Sequence, residues 1–354
     1  MDCLRVDKRS MIVIPKGIVC GQFFLVTAGI AILFLVMMSI SAPALAGDKE
    51  VGMMDIQQSS IRLKAHLTVL TRTIGERSVY RPENLKKAQD YIHSIFRDIG
   101  LYPRRQAYRY EQIEVANIEA EVSAGINPSK RYVLGAHYDS VAGTVGADDN
   151  ASAVAVMLET ARELAALKTD NFPDISVKFV AFALEEPPVY GTRFMGSRVY
   201  ARNAEKSGEK IDGMICLEMV GYTCQAPGCQ DYPFPLMFFG YPEIGNFIGI
   251  VGNFKSRQFA RGLTRAFRNN PELPVINLTV PLNGWILPSV RLSDHASFWD
   301  EGFKAVMITD SAFYRNPNYH LLSDTMDTLD FTFMARLVQS LLLFLQSQQP
   351  LKVK

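Results

Sequence analysis

Cysteine is scarce in this chain: five in 354 residues, at positions 3, 20, 216, 224 and 229. That is too few for a disulfide scaffold, and the spacing matches no zinc ribbon. Histidine is equally scarce, with only His66, His93, His137, His295 and His320, so histidine-dependent chemistry has few places to be. Charge excess is missing as well, because 37 Lys and Arg stand against 36 Asp and Glu. No broad positive field exists to hold a polyanion, and no nucleic-acid partner is expected. Internal repeats and low-complexity linkers are also absent. What is present, 48% hydrophobic and 21% charged residues, excludes a disordered or collagen-like chain and supplies one large core or two modest ones.

One long apolar run lies between about residues 18 and 40, free of charge and preceded by Arg5, Lys8, Arg9 and Lys16. That pattern marks an export signal, and Ala44 and Ala46 fit a cleavage site before Gly47. The run is also long enough to cross a bilayer. Residues 1–46 therefore read as a signal peptide or an uncleaved N-terminal anchor, the second giving membrane association through residues 18–40. Cys20 lies ahead of the apolar core, which argues against a lipoprotein. Either way residues 47–354 are expected outside the cytoplasm, periplasmic or secreted, with the oligomeric state left open.

Two amphipathic helices open the exported part. The clearer runs from Glu83 to Ile99, where Leu85, Ala88, Ile92, Ile95, Phe96 and Ile99 recur at helical spacing and Gly100 provides a stop. His93 falls off that stripe and, like His66 on the preceding helix, reads as an exposed helix residue. The middle of the chain alternates strand and helix: strands over 131–136, 175–184, 214–217 and 305–309, a helix over 150–168, and a closing apolar helix over 331–346. Strands buried on both faces and separated by helices indicate an α/β fold, three layers with a mostly parallel mixed sheet flanked by helices. Between about 222 and 288 the composition turns to Gly, Pro and aromatics, a loop-rich insert within a single domain spanning 47–354. Its one helix, around 255–268, sets Arg257, Arg261, Arg265 and Arg268 on one side, which reads as a solvated face.

In open α/β sheets, ligand sites form where strands give way to loops, and the polar residues of interest stand there. His137-Tyr-Asp139-Ser ends one strand, and Gly-Ala-Asp-Asp149-Asn-Ala-Ser precedes a helix. Glu185-Glu186 ends the strand over 175–184, Glu218 ends the next, and Tyr319-His320 with Asp324-Thr325 comes late. Singly, each has a bland reading: a hydrogen-bonded histidine, an exposed acidic turn. Together, two imidazoles and several carboxylates at one sheet edge compose a zinc-binding set. Carboxylates ending an interior strand need a compensating charge, because unpartnered burial is costly.

This ordered set, completed by Glu218-Met-Val-Gly and Ser293-Asp294-His295-Ala-Ser, resembles the co-catalytic zinc exopeptidases over about residues 55–345. That family includes secreted bacterial aminopeptidases, glutamate carboxypeptidases and, more distantly, glutaminyl cyclases. The resemblance implies two zinc ions bridged by Asp149, one held also by His137 and Glu218, the other by Glu186 and His320. It implies Glu185 as general base and Asp139 as the carboxylate that fixes the His137 ring. It makes Asp149–Asn150 a candidate cis peptide. The implied activity is hydrolysis of an N-terminal peptide bond, with Tyr319 either donating to the oxyanion or packing on His320. His295 is expected to be structural. Departures are Glu218 where aspartate is usual, Ala153 in place of a common glycine, and Pro187-Pro188 after Glu186. A single-zinc glutaminyl cyclase, a carboxypeptidase using Arg291 or Arg193, a noncatalytic receptor and an anchored module with a structural metal are the alternatives. In an oxidising compartment Cys224 and Cys229 can close a small disulfide that braces a substrate loop, and Cys216 reads as an inert core thiol.

Overall fold

The structure, a computed structural model, describes residues 54–167, 172–233 and 240–348. The leader or anchor read over 1–46 lies outside the described residues. Among those described, no helix is long and apolar enough to cross a membrane.

Helices α1 (Ile56–Leu67) and α2 (Pro82–Asp98) come first. Asp55 caps α1 by accepting from the Gln58 amide at 3.0 Å, and Gly100 after α2 adopts φ 84°, the left-handed stop its place predicts. A hairpin of β1 (Arg104–Tyr110) and β2 (Ile113–Ser123) follows, then β3 (Lys130–His137) and α3 (Ala153–Ala165). Next come β4 (Ile175–Phe182), α4 (Gly196–Lys206) and β5 (Gly213–Glu218). The remainder is β6 (Ile248–Asn253), α5 (Arg257–Phe267), β7 (Val275–Val280), α6 (His295–Asp300), β8 (Ala305–Thr309) and α7 (Phe331–Gln346).

The eight strands form one sheet in the order β1-β2-β4-β3-β5-β8-β6-β7. The β4-β3-β5-β8 centre is parallel, as is β6 with β7, while the hairpin, β2-β4 and β6-β8 are antiparallel. Side chains alternate across the sheet as a strand's period of two requires. From β4, Val177, Phe179 and Ala181 join the apolar layer beneath α1, α2, α3, α5 and α7, and Val180 and Phe182 join the layer under α4 and α6. The mostly parallel, three-layer expectation holds.

Three local expectations change. The helix expected from Asn150 starts at Ala153, because Ala147–Ser152 is wound irregularly, with Asp149 at φ −102° and ψ 87°. The stretch 222–288 contributes β6, α5 and β7 to the sheet and its cover as well as loops. His66 is buried rather than exposed: its Nδ1 meets the Tyr91 hydroxyl at 2.7 Å, and burial lowers its pKa to about 4. Nothing in the local sequence around His66 signals that contact, because its partner Tyr91 lies on α2.

Candidate metal centre

Strands β3, β4 and β5 deliver their last residues to the same edge of the sheet. His137 ends β3, Glu185 and Glu186 follow β4, and Glu218 ends β5. Asp149 arrives from the irregular turn before α3, and Tyr319-His320 from the loop after β8. The chain turns sharply to present them, since Leu184 (φ 58°), Met219 (φ 43°) and His320 (φ 58°) all lie in the left-handed region. Such conformations cost on the order of 1 kcal/mol or more for residues other than glycine and gather at functional sites. The peptide Asp149–Asn150 is cis, as the resemblance implies, and Pro187–Pro188 is cis as well.

Asp149 stands between the two imidazoles. Its Oδ1 lies 3.4 Å from His137 Nε2 and its Oδ2 lies 3.1 Å from His320 Nε2. Glu218 Oε2 is 3.4 Å from His137 Nε2, and Glu186 Oε2 is 3.4 Å from His320 Nε2. Each imidazole thus faces one Asp149 oxygen and one glutamate, the grouping expected for two sites sharing a carboxylate. A tetrahedral zinc with ligands at about 2.0–2.1 Å holds neighbouring ligand atoms about 3.3–3.4 Å apart, so these separations suit a zinc ion in each half. Across the halves, ligand atoms of His137, Asp149 and Glu186 also fall within 4.8 Å of one another. Glu186 Oε1 is buried with no hydrogen-bond partner, an orphan that a cation would satisfy. The extra methylene of Glu218 is accommodated: its Oε2 still faces His137 and accepts from Ser293 Oγ at 2.5 Å.

Electrostatics describe the same need for positive charge. Burial opposes a charged His320, yet the Asp149 and Glu186 carboxylates push it up to about 10. Burial likewise opposes charge on His137, which the Glu185 and Glu218 carboxylates drive well upward. Asp149 falls to about 2 against burial, through hydrogen bonds from the two rings. Burial pushes Glu185 well above the usual carboxylate range, with Glu186 and Glu218 adding to the rise and His137 opposing it. So many acids with two imidazoles form a buried negative cluster, which is stable only when cations, or protons in their place, reside among them.

The candidate ligands are held from behind. Asp139 accepts from the backbone amides of Glu185 at 3.0 Å and Glu186 at 2.9 Å, and its Oδ1 lies 3.4 Å from His137 Nδ1. Asp324 does the same for the Asp148 and Asp149 amides, at 2.8 and 3.1 Å. Asn150 ties the end of β5, donating to the Leu217 carbonyl and accepting from the Met219 amide, both at 3.0 Å. Tyr319 lies flat on the His320 ring, with centroids 3.8 Å apart. An apolar pocket of about 110 Å³ opens beside Glu218 and Tyr319, walled by Phe247, Ile250, Leu278 and Met307. A larger cavity of about 440 Å³, around Arg131, Lys178 and Glu209, sits at the opposite ends of β3 and β4.

Sequence reading missed Arg77. It is fully buried, and its guanidinium donates to the carbonyls of Tyr138 at 2.7 Å, Leu70 and Gly75 at 3.1 Å, Val145 at 2.7 Å and Gly146 at 3.0 Å. Gly146 there has φ 50°, and a Cβ would fall 2.1 Å from the Asp149 carbonyl oxygen, so only glycine fits. Nothing in the polar segment around Arg77 signals this role, which depends on three distant turns converging. Ser293, within Ser293-Asp294-His295, is the hydroxyl partner of Glu218, a pairing its place in the sequence does not signal. His295 is buried and bonded through Nε2 to the Val290 carbonyl at 2.8 Å, a structural place. Cys224 and Cys229 form a disulfide, and Cys216 is buried and free.

Residues 117–345 match the model of peptidase family M28. The chain belongs to this family of zinc metallopeptidases. A relative from Escherichia coli (strain K12), named "Uncharacterized protein YfbL", is 36% identical over 296 residues, 81% of this chain and 88% of the relative. A "Probable zinc metalloprotease" of Pyrenophora teres f. teres (strain 0-1) is 25% identical over 252 residues, and the match spans 63% of this chain and about half, 49%, of that relative. Among solved structures, the LapA aminopeptidase of Legionella pneumophila superposes with a TM-score of 0.64 at 18% identity, covering 90% of this chain and 84% of that one. Porphyromonas gingivalis glutaminyl cyclase gives 0.59 at 17%, covering 84% and 100%. These two likenesses concern the M28 fold.

Proposed function

We propose that this M28 member is an extracytoplasmic aminopeptidase that removes N-terminal residues from peptides with two zinc ions and Glu185 as general base. The observation that carries the reading is Asp149, whose two carboxylate oxygens face separate imidazoles, each with its own glutamate. When bound, a zinc pair supplies a water activated near neutral pH and polarises the scissile carbonyl. Glu185, buried and held at its backbone by Asp139, takes a proton from the attacking water and returns it to the leaving amine. Tyr319 donates its hydroxyl to the developing oxyanion. The glutamates Glu185 and Glu218 anchor the free α-amine, and the apolar pocket beside Glu218 takes the side chain of the departing residue.

The two arginines considered for a carboxypeptidase are engaged elsewhere. Arg291 pairs with Asp300 at 2.7 Å and stacks on Trp285 at 3.9 Å, and Arg193 lies over the Phe194 ring at 4.7 Å.

A panel of aminoacyl chromogenic substrates tests the reading. Leucyl, methionyl and phenylalanyl substrates are expected to exceed aspartyl and lysyl ones by about tenfold or more in kcat/KM, the loss expected for a charge in an apolar pocket. Chelation should abolish turnover and zinc restore it. Cyclisation of a glutaminyl substrate without hydrolysis of the others would replace this reading with the cyclase one.

A further inference from the structure

The proposed peptidase chemistry makes no use of the outer face of α5. Arg257, Arg261, Arg265 and Arg268 are all exposed, and at about 100° per residue they fall within an arc of about 80°. The opposite face is occupied, with Ala260, Leu263, Ala266 and Phe267 buried in the core. Between residues 255 and 268 there are five cations, counting Lys255, and no acid, in a chain whose formal net charge is +1. Among the described residues none of these four arginines has an ion-pair partner; the nearby Glu272 is paired with Arg336 at 2.9 Å. A face that is merely solvated mixes charge signs along a helix. Here arginines repeat at i, i+4 and i+8, a like-charge spacing that disfavours the helix, and Arg257 opens α5 at the end whose dipole repels cations. Phe254, immediately before α5, is 48% exposed, an aromatic beside cations of the kind found at membrane surfaces.

We propose that this face of α5 docks on a bilayer of anionic phospholipid. Charge complementarity selects such a surface, and the position of α5 in the fold suits it. Helices α1 and α5 both pack on α7 and share one layer of the core, so the stripe faces outward from that layer of the sheet. The proposal does not depend on the peptidase reading. It holds for the chain with residues 1–46 removed as for the chain anchored through residues 18–40, to which it adds a second, electrostatic contact.

The test is flotation of the full chain with vesicles of phosphatidylcholine alone and with about one-third phosphatidylglycerol. An apolar segment partitions into both, so the ratio between the two lipids isolates the electrostatic part. Each cation near an anionic bilayer is worth roughly fivefold in affinity before salt screening. Replacing all four arginines with Gln, which keeps helix propensity, is expected to lower the ratio by about a hundredfold or more at low salt, and by about tenfold at physiological ionic strength where the contacts are screened. Hydrolysis of a small soluble substrate should be unchanged, which also reports that the variant is folded. The double variant Arg261→Gln/Arg265→Gln should lose an intermediate amount. A fall of less than about threefold in the quadruple variant overturns the proposal. So does a wild-type chain that retains an oligonucleotide through these arginines and shows no lipid preference.

Discussion

Replacement of Glu185 by Gln is expected to lower kcat by about two to four decades while leaving metal content and melting temperature near those of the parent, the range seen when a general base is lost. Gln keeps the shape and backbone contacts of the side chain but cannot accept a proton. The carboxylate is suited to the task by position and by acidity. Its Oε2 lies 3.9 Å from His137 Nε2, outside the separations of the candidate ligand pairs but beside them. Burial raises its proton affinity, and the flanking Glu186 and Glu218 raise it further. Because Glu185 acts as base in the transition state and also anchors the α-amine of the bound substrate, kcat should fall, KM should rise, and kcat/KM should fall further than kcat. Single-turnover kinetics and metal analysis on the same preparation check this. Retention of more than about one-tenth of parental turnover would remove Glu185 from the role.

Arg77→Met should damage the molecule by a different route. The substitution keeps apolar bulk and removes the guanidinium donors to the carbonyls of Leu70, Gly75, Tyr138, Val145 and Gly146; Leu70 and Gly146 each keep one backbone donor, the Gly75 amide at 3.1 Å and the Ala151 amide at 3.2 Å. Unsatisfied buried acceptors and the loss of a buried cation among acids together cost about 3–5 kcal/mol. For a domain of about 300 residues that lowers the melting temperature by about 5–8 °C. Burial brings the Arg77 pKa down to about 10, against the pull of Asp139 and Asp324, so the group is charged at neutral pH and offsets part of the acidic cluster. Its loss should also weaken zinc affinity, because Arg77 holds the carbonyl of Tyr138, next to His137, and that of Gly146 in the turn that carries Asp149. Arg77→Lys keeps the charge with fewer donors and should fall between. Calorimetry and competitive zinc titration read the two effects separately. An Arg77→Met chain as stable as the parent would contradict the account of this turn.

The central strands and the candidate ligands were legible because apolar runs and strand-end polar residues are local signals. Residues 175–184 are apolar almost throughout, and Glu185-Glu186 follows them directly. The hairpin was not legible, since Arg104–Tyr110 contains no aliphatic residue larger than alanine, and its partly buried positions are filled by Gln106, Tyr108 and Tyr110. Likewise β6 contains Gly249 and Gly252 and reads as loop, yet it gains strand form from its neighbours β7 and β8. The supports of the site were the least visible part. Arg77 and the amide clamps of Asp139 and Asp324 act through backbone groups, and Ser293 through the Glu218 carboxylate, and these partners come together only after folding. The same holds for His66, whose partner Tyr91 lies on another helix.

Zinc stoichiometry tests the paired centre most directly. The metal-stripped chain, titrated with zinc at neutral pH and analysed for bound metal, should take up two ions per chain, with His320→Ala retaining one. Saturation of the parent at a single ion would contradict a centre in which Asp149 joins two cations.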